Sequence, residues 1–361
     1  MKHILLAIIC LLALTAQAQT KQEQVSRIRK AYADAKAQMA QNGKNGMAPL
    51  DVQIQVSDGT EVSEDFVVYN ETRLNYYFNK YRTDTSLDYP NASSCYFIVE
   101  NWTADGHTRY REYLFDPNDG YLLFAYMKSE THAGFVVETR YYYDAEGRLI
   151  DQKHKVGGHD AEPGSHTWND EKSEKEQAQN YLDVFETLMN VKHIPSAVGH
   201  FGQATSPKAE RLKQIRSIYA QAKDKIAKND KSEIPHDMHI VVRDQTFGPP
   251  QITDVKIYYE PQQIGAFSDH HCYFISEHRH HNNMGSDVYG EYLFAPETHD
   301  LIFSYTNAKE EDEQFEWRYY YDENGQCIET KTTADDGDQG EGDKQTALRY
   351  LQVFTSLLTT L

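Results

Sequence analysis

Apolar side chains recur at alternating intervals of three and four near the start of the chain: Val25, Ile28, Tyr32, Ala35 and Met39. The same rhythm returns at Leu212, Ile215, Tyr219, Ala222 and Ile226. It puts five apolar groups on one stripe of a helix. Between the two helices the period changes to two. Alternating segments near 50–57, 65–80, 93–102, 107–116, 120–128, 134–144 and 147–154 predict strands. Asp116-Pro117-Asn118-Asp119-Gly120 and Asp144-Ala145-Glu146-Gly147 supply turns between them. Helical spacing resumes at Ala178, Tyr181, Leu182, Phe185 and Leu188, matched by Ala347, Tyr350, Leu351, Phe354 and Leu357.

These matches are part of an internal repeat, which has to be recognised before a fold is assigned. Cys95-Tyr96-Phe97-Ile98 recurs as Cys272-Tyr273-Phe274-Ile275, and Glu112-Tyr113-Leu114-Phe115 as Glu291-Tyr292-Leu293-Phe294. Arg140-Tyr141-Tyr142-Tyr143-Asp144 recurs as Arg318-Tyr319-Tyr320-Tyr321-Asp322, and the order of blocks is kept. The expected fold is α+β: two tandem copies of helix, antiparallel β-meander of six or seven strands, helix, with helices covering one sheet face. The expected boundaries are a signal peptide at 1–18, a first unit at 19–190, a linker at 191–205 and a second unit at 206–361.

The leader pattern sets the expected location. Lys2 and His3 precede an apolar run from Ile4 to Leu14, and Ala16-Gln17-Ala18 places small residues where a signal peptidase reads. The run is shorter than the roughly 20 residues a membrane span needs. The chain is therefore expected to be exported to the periplasm or beyond, with no membrane span. Acidic residues number 55 against 36 Lys plus Arg, a formal charge of −19. That argues against nucleic-acid partners, whose phosphates need cations. Beyond the leader, Cys95 and Cys272 sit in apolar strands, and their expected state is a buried thiol. A Cys272–Cys327 bridge is the alternative.

Charges repeated inside apolar strands are the candidate chemistry. Glu112 with Arg140, and Glu291 with Arg318, are expected to meet on the sheet surface. The structural reading is a cross-strand ion pair worth roughly 0.2–1 kcal/mol. The functional reading is a polar groove with Tyr walls, so Glu112, Arg140, Tyr142, Glu291, Arg318 and Tyr320 are the candidate ligand-binding residues. No catalytic residue is assigned. His278, His280 and His281, found in the second unit alone, are the candidate metal ligands; otherwise no cofactor is expected.

The hairpins Tyr143-Asp144-Ala145-Glu146-Gly147 and Tyr321-Asp322-Glu323-Asn324-Gly325 resemble the Tyr-Asp-x-x-Gly turns of bacterial secreted β-meander repeat proteins. The layout as a whole, with a leader ending Ala-Gln-Ala-Gln before acidic, Tyr-rich α+β units, resembles uncharacterised exported proteins of Bacteroidetes-type bacteria. The resemblance implies an envelope location and carries no activity. The expected function is an exported binding or envelope-accessory protein for a small molecule, glycan or secreted protein. The alternatives are a hydrolase of envelope or dietary polymers using strand carboxylates, and an inhibitor or partner of another secreted protein.

Overall fold

A computed structural model of the chain describes residues 2–361 other than 45–48, 64–65, 83–90, 105–106, 132–133, 162–170, 190–206, 246–250, 265–266, 282–285, 297, 311–312 and 335–339. Helix α1 (Lys2–Gln41) precedes β1 (Asp51–Ser63), β2 (Phe66–Arg82), β3 (Asn91–Ala104), β4 (His107–Phe115), β5 (Leu122–Glu130), β6 (Val136–Tyr143), β7 (Leu149–Val156) and β8 (His159–Asp160). Helices α2 (Glu171–Met189) and α3 (Lys208–Asn229) follow. Then come β9 (Asp237–Asp244), β10 (Gln251–Ile264), β11 (Phe267–His281), β12 (Ser286–Phe294), β13 (Leu301–Glu310), β14 (Glu313–Tyr321), β15 (Cys327–Thr332) and α4 (Glu341–Leu358).

The tight turns form where the sequence places them, and for a local reason. The Asp144 carboxylate accepts the backbone N–H groups of Glu146 (3.0 Å) and Arg148 (2.8 Å), while Gly147 takes φ +71°. Asp322 does the same for Asn324 and Gln326, with Gly325 at φ +70°. A left-handed residue at that point closes the hairpin, and glycine reaches that region without a Cβ penalty.

The strands do not form two separate sheets. They make one continuous antiparallel sheet of fifteen strands, ordered β15 to β9, then β1 to β8. The expectation of two tandem meander units is therefore overturned. The seam is β1 against β9, with Asp51 opposite Arg243, Ile54 opposite Ile240 and Ser57 opposite Asp237. Each would be an edge strand in a separate sheet, with a row of unpaired N–H and C=O groups. Pairing them satisfies both rows. Side-chain bonds reinforce the seam: Arg243 lies 2.6 Å from Asp51, Lys80 2.5 Å from Asp244, and Tyr259 donates to the Ser57 carbonyl at 2.7 Å. The predicted linker at 191–205 lies outside the described residues.

Nor do the helices share a face. Alternation sends Tyr141 and Tyr143 to one side of the sheet and Tyr142 to the other, and both sides are buried. On the first side α2 and α4 pack on Tyr76, Tyr113, Tyr141, Ile54, Ile240, Tyr292 and Tyr321 in one core that crosses the seam. On the second side α1 packs on Phe97, Leu114, Phe124 and Tyr142, and α3 packs on Phe274, Leu293, Phe303 and Tyr320. A sheet apolar on both faces needs cover on both, which is why one layer of helices does not suffice.

The side facing α2 also holds a buried ionic cluster. Arg111 bonds Glu100 at 2.9 and 3.1 Å and Glu174 of α2 at 3.1 Å, with all three side chains at most 1% exposed. Tyr113 donates to Glu174 at 3.1 Å. In the matching place near α4, Gly290 stands where Arg111 does, and the buried Glu277 accepts from Tyr292 (3.0 Å) and Tyr350 (2.6 Å). Cys95, Cys272 and Cys327 are free thiols, so the Cys272–Cys327 bridge is not formed. Burial pushes the Cys95 and Cys272 thiols well above the usual range, which makes them inert. Among the described residues no helix is long and apolar enough to cross a membrane.

Candidate functional site

Glu112, Tyr126 and Arg140 stand side by side on β4, β5 and β6, because Glu112 is registered with Tyr126 and Tyr126 with Arg140. The next row on that face is Leu114, Phe124 and Tyr142. Above them runs α1, whose Arg29, Tyr32 and Lys36 are spaced three and four apart and so point the same way. Between helix and sheet is a cleft of about 360 Å³ lined by Arg29, Tyr32, Glu112, Phe124, Tyr126, Arg140 and Tyr142.

Glu112 is the fixed point of this cleft. Its side chain is 3% exposed and accepts Lys36 at 2.6 Å, together with the hydroxyls of Tyr32 and Tyr110. Burial, and then the hydrogen bond to Glu112, push the Tyr32 and Tyr110 phenols well above their ordinary range, so both remain donors. Arg140 lies 5.0 Å above the Tyr126 ring and pairs with Glu138 at 3.0 Å. Arg29 lies 5.6 Å from the Tyr142 ring centre and reaches the Tyr142 hydroxyl at 3.4 Å. These are cation–π placements, with the guanidinium over an electron-rich face.

The same arrangement occurs between α3 and β12–β14. Glu291 is registered with Tyr305, and Tyr305 with Arg318; Leu293 with Phe303, and Phe303 with Tyr320. Glu291 accepts Lys223 at 3.0 Å, Tyr219 at 2.5 Å and Tyr289 at 2.7 Å. Arg318 lies 5.3 Å over Tyr305 and pairs with Glu316 at 2.9 Å, and Arg216 lies 6.0 Å from the Tyr320 ring. This cleft, about 490 Å³, is lined by Ile215, Arg216, Tyr219, Phe303, Tyr305, Arg318 and Tyr320. Glu291 is reached through Tyr219. Ile54 faces Ile240 across the seam, and counting alternation outward places both clefts on the face opposite α2 and α4.

All six sequence-predicted binding residues thus fall in or beside two matching clefts. The contact expected within each set does not form. Glu112 and Arg140 are separated by the intervening β5, and Glu291 and Arg318 by β13, so each pair spans two strand spacings, roughly 10 Å. Lys36 and Lys223 take the carboxylates instead, and Glu138 and Glu316 take the guanidiniums. The residues that sequence reasoning missed come mainly from the helices: Arg29, Tyr32 and Lys36, matched by Arg216, Tyr219 and Lys223. The aligned repeat contained that signal, since each of the three recurs at the same helical position.

The histidine stretch is built differently. His278 and His280 both turn to Asp287, at 3.5 and 2.5 Å, and their rings are 6.5 Å apart. The side chain of His281 lies outside the described residues. Among the described residues no group of three or more His, Cys, Asp or Glu is placed to hold a metal ion. The hydrogen bond from His280 holds the Asp287 carboxyl below its ordinary range.

No protein-family model matches the chain. No curated protein matches it at significant similarity.

Proposed function

We propose that the chain is a binding protein that takes one small ligand in each of two equivalent clefts. One observation carries this reading: six lining positions recur residue for residue between the clefts, including Arg29 and Arg216, which are exposed. Burying α1 and α3 against the sheet accounts for the apolar stripe. It does not require an exposed Arg over a Tyr ring in both places. Aromatic walls with a few fixed polar groups are the usual make-up of a small-molecule site. The leader-like pattern at residues 1–18 supports a binder that works in the periplasm or outside the cell.

The strand carboxylates support binding better than hydrolysis. Glu112 and Glu291 each accept a lysine and two phenols, so three donors of the protein already hold each carboxylate. A carboxylate tied to three donors of its own protein is placed as a structural acceptor rather than aimed at a substrate. Native mass spectrometry tests the proposal. The full chain is incubated with a fractionated bacterial small-molecule extract and the adducts are counted. The expected spectrum has up to two adducts, with Tyr32→Ala and Tyr219→Ala each removing one. An absence of adducts, or adducts indifferent to both substitutions, refutes the proposal.

A further inference from the structure

We infer that the ligand of each cleft is a carboxylate carried on a small ring. The inference rests on the binding function proposed above and names its chemistry. Around the first cleft the cations are Arg29, Lys36 and Arg140, and the anions Glu112 and Glu138. Lys36 is matched by Glu112 and Arg140 by Glu138. Among the described residues no carboxylate pairs with Arg29, whose contacts are the ring and hydroxyl of Tyr142. The second cleft balances identically. Lys223 is matched by Glu291 and Arg318 by Glu316, and among the described residues no carboxylate pairs with Arg216, which lies against the Tyr320 ring.

Each cleft therefore carries one unmatched guanidinium in a chain whose formal charge is −19. The bulk field of such a chain repels acidic solutes, so a local excess of positive charge is a selective feature. A guanidinium offers five N–H donors in a planar fork that fits a carboxylate with two parallel bonds. Arg29 uses one of its donors on Tyr142. The remaining walls, Tyr32, Phe124, Tyr126 and Tyr142, are aromatic, which suits a flat or cyclic body. The two clefts, at about 360 and 490 Å³, are of small-molecule size. Sugar acids and aromatic acids share this chemistry.

Two matched pairs of probes separate them by isothermal titration of the full chain: D-galacturonate against D-galactose, and 4-hydroxybenzoate against 4-hydroxybenzyl alcohol. The expected result is that one acid binds at two sites and at least about tenfold tighter than its neutral counterpart, the minimum for a charge-assisted hydrogen-bonded pair. The pair that responds identifies the source. Arg29→Gln and Arg216→Gln should each abolish that preference at one site, and Arg→Lys should restore part of it, since charge returns without the fork. Both arginines are exposed on helix surfaces, so folding is not at risk. A neutral compound binding as tightly as its acid overturns the carboxylate assignment and leaves the clefts as binding sites. Failure of all four probes overturns it too, and the adduct count then decides the binding function separately.

Discussion

Replacing Arg111 by leucine removes the cation from a cluster in which Glu100, Arg111 and Glu174 are at most 1% exposed. Breaking a buried ion pair by deleting one partner costs about 3–5 kcal/mol, because a charge is left without compensation. Here two carboxylates are left, which argues for the upper end. Two contacts soften the loss. Arg109 stands 3.7 Å from Glu100, and Tyr113 still donates to Glu174. We therefore expect about 3 kcal/mol. The assay is urea denaturation followed by fluorescence, alongside Arg148→Leu as a control. Arg148 bonds Asp144 on the surface, where solvent screens the pair and its loss costs little. Adding Glu100→Gln and Glu174→Gln to Arg111→Leu removes the stranded charges and should recover most of the loss. The pH dependence has a defined sign. A buried carboxylate without its partner has a raised pKa in the folded state, so stability is lost as pH rises above the unfolded value, roughly 4. The deficit of Arg111→Leu should shrink as pH falls from 7 toward 4. A loss no larger than that of Arg148→Leu, or a deficit that grows on acidification, would refute the reasoning.

Three further outcomes follow from the same structure. Gly340 begins α4 at φ +81°, and a Cβ there would stand 2.6 Å from the Tyr319 ring, so Gly340→Ala should lower stability by roughly 1–3 kcal/mol in the same denaturation assay. His239 on β9 has its pKa raised, chiefly by its hydrogen bond to Asp254 and against the opposing effect of burial. Its contribution is complete below about pH 6.5 and fades as pH rises through the raised value; both groups are partly exposed, so thermal melts should show a slope under about 1 kcal/mol that His239→Gln removes. Burial would raise Asp58, but hydrogen bonds from His236 and His270 outweigh it and hold the carboxyl below its ordinary range. Its contribution is present above roughly pH 4 and disappears on further acidification, and Asp58→Asn should flatten that acid limb of the melting curve.

Local features were legible in the sequence because local physics sets them. Alternation marked the strands, and Asp followed three residues later by Gly marked the hairpins at Asp144 and Asp322. The repeat drew attention to Glu112, Arg140 and Tyr142 and their partners before their positions were known. Long-range features were not legible. No pattern within 51–57 or 237–243 says that these segments pair with each other; each reads as an ordinary strand that begins a meander. The Tyr triplets put aromatic side chains on both sheet faces, which calls for helix cover on both, yet cover was expected on one face alone. Tyr32 and Tyr219 were counted as apolar stripe positions, which hid their hydroxyls. A tyrosine buries its ring and still donates at the rim, and that rim bond fixes Glu112 and Glu291.

Two clefts of one design, on the same sheet face, are the core of this account. Along the sheet from β5 to β13 they stand roughly 40 Å apart at about 4.8 Å per strand step, far enough to report separately. Hydrogen–deuterium exchange of the full chain, with and without saturating ligand, reads both at once. Slowed exchange in 29–36 and 138–142, and equally in 216–223 and 316–320, is the outcome predicted. Protection on one side alone, or in α2 and α4 instead, would contradict it.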